Sequence, residues 1–135
     1  MIQLDQIVAV NSKDTLYKAV ASKSNGLILE DLSTGINGFF SGRLYQISPL
    51  DSMGLYILGG TMPLKEVYEI FISKEAEIPI PIETATEEEM KLFFQTIIPD
   101  YDPYKVKHRD MKKCLRWYHQ LKQFSLIKKE ENVSE

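Results

Sequence analysis

The sequence predicts an α+β fold: a small β-barrel or strongly bent sheet over roughly residues 1–60, then a C-terminal helical hairpin. Three observations predict it. Short apolar runs recur at roughly 8–12-residue intervals as far as Gly60, separated by turn-forming residues. After Pro63 the apolar spacing changes to the three-and-four rhythm of helices. The composition, 44% hydrophobic and 26% charged, suits a packed core rather than disorder.

The elements follow in order. Ile2 to Val10 is apolar with scattered polar residues and suits either a short strand or one helical turn. Leu16-Tyr17-Lys18-Ala19-Val20-Ala21 alternates as a half-buried strand does. Asn25-Gly26 then offers two residues that tolerate positive φ, the requirement of a type I′ hairpin turn, and Gly26 to Asp31 supplies the returning strand. Ser33-Thr34-Gly35 marks another turn. Phe39-Phe40, Leu44 to Ser48 and Leu55 to Leu58 complete five short strands, the last ended by Gly59-Gly60. Closing such a sheet removes edges that invite aggregation.

Pro63 stands where a first helical residue should, because its missing N–H costs nothing there. Leu64, Val67, Tyr68 and Phe71 form one stripe of a helix at 63–73. The EAEIPIPIET stretch, Glu75 to Thr84, forbids a helix with two prolines and reads as an extended connector. Thr86 with Glu89 is a capping-box pair opening a helix whose apolar face is Met90, Phe93, Phe94 and Ile97; Pro99 ends it. The first-turn acids Glu87, Glu88 and Glu89 suit the positive end of the helix dipole. Asp102-Pro103 reads as cap and first residue of a short helical turn. The last helix covers roughly Arg109 to Phe124 and packs on the helix before it through Phe93, Phe94, Ile97, Leu115, Tyr118 and Leu121. The resulting division is 1–74, a connector at 75–85, a helical segment at 86–127 and a frayed charged tail at 128–135.

The C-terminal stretch IIPDYDPYKVKHRDMKKCLRWYHQLKQFSLI resembles the end of a family of small bacterial proteins known only as a domain of unknown function. The resemblance rests on Ile98-Pro99-Asp100-Tyr101-Asp102, Val106, Asp110-Met111-Lys112-Lys113, Trp117-Tyr118 and Leu121. Looser likeness extends to Leu16-Tyr17-Lys18, Asn25-Gly26 and Pro63-Leu64-Lys65-Glu66-Val67. It implies an SH3-like N-terminal barrel followed by helices, and no activity, cofactor or catalytic residue. Relatives tend to carry Ser before the Asp of the last helix, where this chain has Arg109; Asp110 is then expected to take over as cap, starting the helix one residue later.

Charge is uneven within a net of −3. Residues 1–60 carry four basic and five acidic groups, 61–90 two and eight, and 91–135 ten and six, giving −1, −6 and +4. Segments of opposite sign attract each other as readily as they attract a partner. On the last helix, at 100° per residue, Met111, Cys114, Leu115, Tyr118 and Leu121 share one arc. Arg109, Lys112, Lys113 and Arg116 share the opposite one, with Trp117 and Phe124 on the border. That basic arc is the candidate site: Arg109, Lys112, Lys113 and Arg116 for phosphates, Trp117 for stacking on a base. Its bland counterpart is an ordinary solvated helix face whose cations meet Glu87 to Glu89.

No catalytic set stands out. His108 and His119 are the only histidines and lie eleven residues apart, about 16 Å along a helix, so they cannot share a metal unaided. Cys114, the only cysteine, falls on the apolar arc and reads as core. Asp100 and Asp102 lack the further ligands and Gly of a calcium loop. Glycine-rich phosphate loops and nucleophile elbows are absent. Of Phe39, Phe40, Tyr45 and Tyr56, most are expected to fill the barrel. No apolar stretch of about 18 residues exists to span a membrane. MIQLDQIVAVNSKD is not a signal peptide, so Asn132-Val133-Ser134 carries no glycosylation meaning. A lone thiol points to the cytoplasm. Two readings follow: first a non-catalytic cytoplasmic binding or adaptor module with a protein partner and no cofactor, second a nucleic-acid-associated protein using the basic arc.

Overall fold

Leu16 and Tyr17 are both buried, Lys18 is exposed and Ala19 is half-buried, so burial does not alternate strictly, yet the stretch forms the expected strand. The computed structural model describes residues 2–127. Its backbone contacts divide them into two units, Leu4–Met53 and the pair of segments 2–3 and 54–127. The charged tail from residue 128 and the Asn132-Val133-Ser134 pattern lie outside the described residues.

The first unit is a five-stranded antiparallel sheet of β1 (Ile7–Val10), β2 (Leu16–Lys23), β3 (Gly26–Asp31), β4 (Asn37–Ser41) and β5 (Ile47–Pro49), in the order β4-β3-β2-β1-β5. Of the two conformations Ile2 to Val10 allows, it takes the strand, and that strand is interior: β1 pairs with β2 on one side and β5 on the other. Val8, Val10, Tyr17 and Leu29 form the core, with Phe40 and Tyr45 packed against it; the Phe40 ring sits edge-on to both Tyr17 and Tyr45.

The β2–β3 hairpin is present, but its turn is Ser24-Asn25, and neither residue has positive φ. Gly26 is instead the first residue of β3. A Cβ there would collide with the Phe40 carbonyl oxygen and come within 2.8 Å of the Phe39 ring, so close cross-strand approach, not turn geometry, requires glycine. The turn after β3 is the one expected: Asp31 Oδ1 accepts from the Ser33 N–H at 2.8 Å and its hydroxyl at 2.6 Å, and Gly35 takes φ +75°.

The second unit opens with a separate hairpin, β6 (Gly54–Ile57) and β7 (Gly60–Pro63), turning through Leu58-Gly59 with Gly59 at φ +87°. The run expected to supply the fifth strand of the N-terminal sheet is therefore β6 of this hairpin. Three helices follow: α1 (Leu64–Lys74), α2 (Glu87–Ile97) and α3 (His108–Gln123). Pro63 closes β7 and precedes the first helical residue by one position. Thr86 caps α2 as expected: its hydroxyl accepts from the Glu89 N–H at 3.1 Å, and Glu89 accepts from the Thr86 N–H at 2.9 Å.

The α+β class expected from the sequence holds, and α1 packs with the two later helices. Phe71 of α1 is fully buried and its ring lies 5.2 Å from Phe93, 5.9 Å from Phe94 and 5.1 Å from Tyr118. This apolar hub on α1 joins both later helices. The chain consequently divides between Met53 and Gly54, ahead of α1, rather than in the 75–85 connector. The segment between α2 and α3 is tied to β6: the Leu58 N–H donates to the Asp100 carbonyl at 2.8 Å and the Asp102 N–H to the Tyr56 carbonyl at 2.9 Å.

Candidate functional site

The candidate site begins with α3. Met111, Cys114, Leu115, Trp117, Tyr118 and Leu121 form its buried side. Lys107 is the N-cap, and Asp110 sits three residues on, its carboxylate accepting from the Lys107 N–H at 2.9 Å. Asp110 therefore reciprocates the cap rather than taking it, and the helix starts at His108.

The five candidate residues divide sharply. Arg109, Lys112 and Lys113 are exposed. They stand at i, i+3 and i+4, neighbours on the helix surface, and none makes an ion pair with another described residue. Arg116 has only 19% of its side chain exposed and reaches Glu83 at 3.1 Å. Trp117 is 8% exposed, so it offers no ring face for a base, and its assignment as the stacking residue is corrected. Its place on the border of the arc tipped inward because the indole is large and apolar.

Attraction between the acidic middle segment and the basic C-terminal one accounts for several other groups. Lys122 Nζ donates to both oxygens of Glu75, at 2.7 and 2.9 Å, and the Tyr118 hydroxyl donates to Glu75 Oε1 at 2.8 Å. His108 Nδ1 lies 4.0 Å from Glu87. Among the first-turn acids of α2, Glu87 also pairs with Lys91 and Glu89 serves the cap, so Arg109, Lys112 and Lys113 do not find their counterions there.

Around these three residues the charge is concentrated. Lys105, Lys107, Arg109, Lys112 and Lys113 are all exposed, and Asp110 is the acid in the first turn of α3. Lys107 at the N-cap and Arg109 in the first turn stand where the helix dipole makes a positive charge cost roughly 0.3–1 kcal/mol, while Lys112 and Lys113 follow in the second turn as i+3 and i+4 neighbours of Arg109. Folding stability alone disfavours this placement.

Next to the cationic run lies an exposed aromatic and apolar patch. Tyr104 is 82% exposed, Tyr56 49% and Leu58 60%. Lys105 Nζ stands 5.5 Å from the centre of the Tyr56 ring. Asp102 fixes the turn that presents Tyr104, its Oδ1 accepting from the Tyr104 and Lys105 N–H groups at 2.9 and 3.3 Å. Sequence reading placed Tyr56 in the barrel and missed Tyr104; Tyr104's position directly after a capping Asp-Pro turn was the available signal. Of the four aromatics expected to be mostly core, Phe40 and Tyr45 are partly buried against the core, while Phe39 and Tyr56 are about half exposed.

The remaining groups have structural work. Cys114 is buried, and burial pushes its thiol up to about 12, which leaves it protonated and unreactive. The Tyr68 hydroxyl donates to the Cys114 carbonyl at 2.8 Å. Among the described residues no group of three or more His, Cys, Asp and Glu side chains is placed to hold a metal ion. A pocket of about 340 Å³ is lined by Glu75, Ile80, Tyr118, His119 and Lys122. Its polar groups already serve one another or the backbone: His119 Nε2 lies 2.8 Å from the Pro81 carbonyl oxygen, and Glu75 takes Tyr118 and Lys122. Burial first, and then the Glu75 carboxylate, hold the Tyr118 hydroxyl well above its ordinary range.

A family model described as "Domain of unknown function (DUF6852)" matches residues 53–121. This chain belongs to that family. The DUF6852 segment coincides with most of the second unit, and it contains β6, all three helices up to Leu121, the basic face and the Tyr56–Tyr104 patch. The chain is also similar to a solution NMR structure from Bacteroides vulgatus, a structural-genomics target, at 26% identity and a TM-score of 0.74. The similarity covers 93% of this chain and 90% of that one. No curated protein matches the sequence. No helix among the described residues is long and apolar enough to cross a membrane.

Proposed function

We propose that this DUF6852 protein is a non-catalytic binding module that recognises an anionic macromolecule through Arg109, Lys112 and Lys113. One observation carries the reading. His108, Arg116 and Lys122 stand beside Glu87, Glu83 and Glu75, whereas Arg109, Lys112 and Lys113 stay in solvent as mutually repelling i, i+3 and i+4 neighbours, with Arg109 in the first turn where the helix dipole disfavours a cation. A partner that supplies negative charge removes that cost. An adaptor role, with an acidic protein surface as partner, is the first form of this reading. Nucleic-acid association is the second; it keeps Arg109, Lys112 and Lys113 and gives up Trp117 and Arg116.

An SH3-like character for the N-terminal unit belongs to the same proposal. The strand order β4-β3-β2-β1-β5 supports it, with β1 pairing to both β2 and β5. A cytoplasmic bacterial setting is part of the reading too, supported by the single buried thiol and by the organism of the NMR neighbour.

The test is a pull-down from native bacterial lysate with the full chain and with Lys112→Glu/Lys113→Glu, each with and without nuclease. A partner retained by the parent and lost on charge reversal is the expected result, and nuclease separates the two forms. Equal retention by both proteins would refute the cationic face as the contact surface.

A further inference from the structure

The most exposed ring of the described unit stands beside its least compensated charge. Tyr104 projects from the turn that Asp102 caps, and Lys105, next in the chain, reaches over the Tyr56 ring. The Asp102 N–H to Tyr56 carbonyl bond ties β6 to this turn, so Lys105 meets the Tyr56 ring and Tyr104 is the exposed neighbour of Lys105 in the chain. The chain runs from it through exposed Lys107 into the Arg109, Lys112 and Lys113 triangle. Aromatic faces next to a cationic track are what a single strand of nucleic acid requires: bases stack on the rings and phosphates follow the cations. A duplex hides its base faces and would use only the charge.

We infer that the occupant of this surface is single-stranded nucleic acid, with bases stacked on Tyr104 and Tyr56 and the backbone held by Lys105, Lys107, Arg109, Lys112 and Lys113. The inference rests on the cationic-face reading above and takes its second form, with single-stranded nucleic acid as the partner. It moves the stacking role from buried Trp117 to exposed Tyr104. Single-strand binding of this kind has little sequence preference, because every base presents a π-face.

The test is fluorescence anisotropy with the full chain and three probes: labelled single-stranded oligo-uridine or oligo-thymidine, a duplex of the same length, and heparin, a polyanion without bases. Tyr104 is a surface residue, so its replacement leaves the fold in place. Tyr104→Ala should weaken single-strand binding about fivefold or more, from the low end of the stacking range. Tyr104→Phe should restore it, and heparin binding should not change. Lys112→Glu/Lys113→Glu should weaken all three probes.

If duplex binds as tightly as single strand, or if Tyr104→Ala leaves oligonucleotide binding unchanged while charge reversal abolishes it, the stacking inference fails and the cationic contact surface survives. If no probe binds but the lysate partner is still lost on charge reversal, the partner is an acidic protein and nucleic acid is overturned. If neither the probes nor a charge-dependent partner is found, both readings fall together.

Discussion

A single and a double removal of cations on one helix should move stability in opposite directions. Arg116→Ala deletes the contact with Glu83, a pair at 3.1 Å whose side chains are 19% and 40% exposed. A pair that accessible to solvent contributes roughly 0.5–1 kcal/mol. Lys112→Ala/Lys113→Ala deletes no described ion pair. It relieves the i,i+3 and i,i+4 repulsions with Arg109, about 0.2–0.5 kcal/mol each. Alanine is at least as good a helix former as lysine. The double variant should therefore gain about 0.5–1 kcal/mol. With a urea dependence of roughly 1–3 kcal/mol per molar, the two midpoints should separate by about 0.3 M or more, on either side of the parent. Trp117, the only tryptophan and buried in the unit that holds all three helices, reports this unfolding by its fluorescence. Added salt should shrink the gap, since exposed charges are screened. If Lys112→Ala/Lys113→Ala instead lowers the midpoint, these lysines hold the fold together, and the argument that they await a partner is refuted.

Two further outcomes follow from the core. Phe71→Ala removes the ring that touches Tyr68, Phe93, Phe94 and Tyr118, and should cost about 3–5 kcal/mol in the same urea assay; a loss below about 1 kcal/mol would show that α1 does not join α2 to α3. Cys114 should resist alkylation at pH 8 in the native protein and react fully in denaturant, and fast native labelling would contradict its burial. The folded thiol titrates near 12 against an ordinary value of 9.0, so the neutral form is favoured in the fold. Its contribution to stability is present below about pH 9 and is lost as pH rises from there toward 12.

The helices were legible because each announces itself locally. Thr86 and Glu89 lie three apart, the Leu64-Val67-Tyr68-Phe71 stripe repeats at helical spacing, and every one of those apolar residues is buried. What was not legible was assignment of neighbours. Leu55-Tyr56-Ile57 reads as a strand wherever it pairs, and nothing in its own residues distinguishes the N-terminal sheet from a hairpin with Gly60–Pro63. Gly26 misled for a related reason. Asn-Gly is a strong turn signal, but the glycine serves a contact with Phe39 and Phe40, more than ten residues away. Periodicity fixes which face is apolar, whereas topology depends on contacts distant in sequence.

The candidate site shows the same limit from the charge side. The helix arc alone could group Arg109, Lys112, Lys113 and Arg116, but it could not sort them. Sorting depends on where the Pro79-Ile80-Pro81 connector runs, because Glu83 meets Arg116 from that connector while Glu75 meets Lys122 from the C-terminal end of α1. Both acids lie more than thirty residues from their partners. They compensate the C-terminal half of α3 and leave Arg109, Lys112 and Lys113, in its N-terminal half, without described counterions. An arrangement chosen for stability alone would reverse that order, placing the glutamates at the helix start and the unpaired lysines at its finish. The inversion argues that the start of α3 is shaped by what it meets rather than by what it costs.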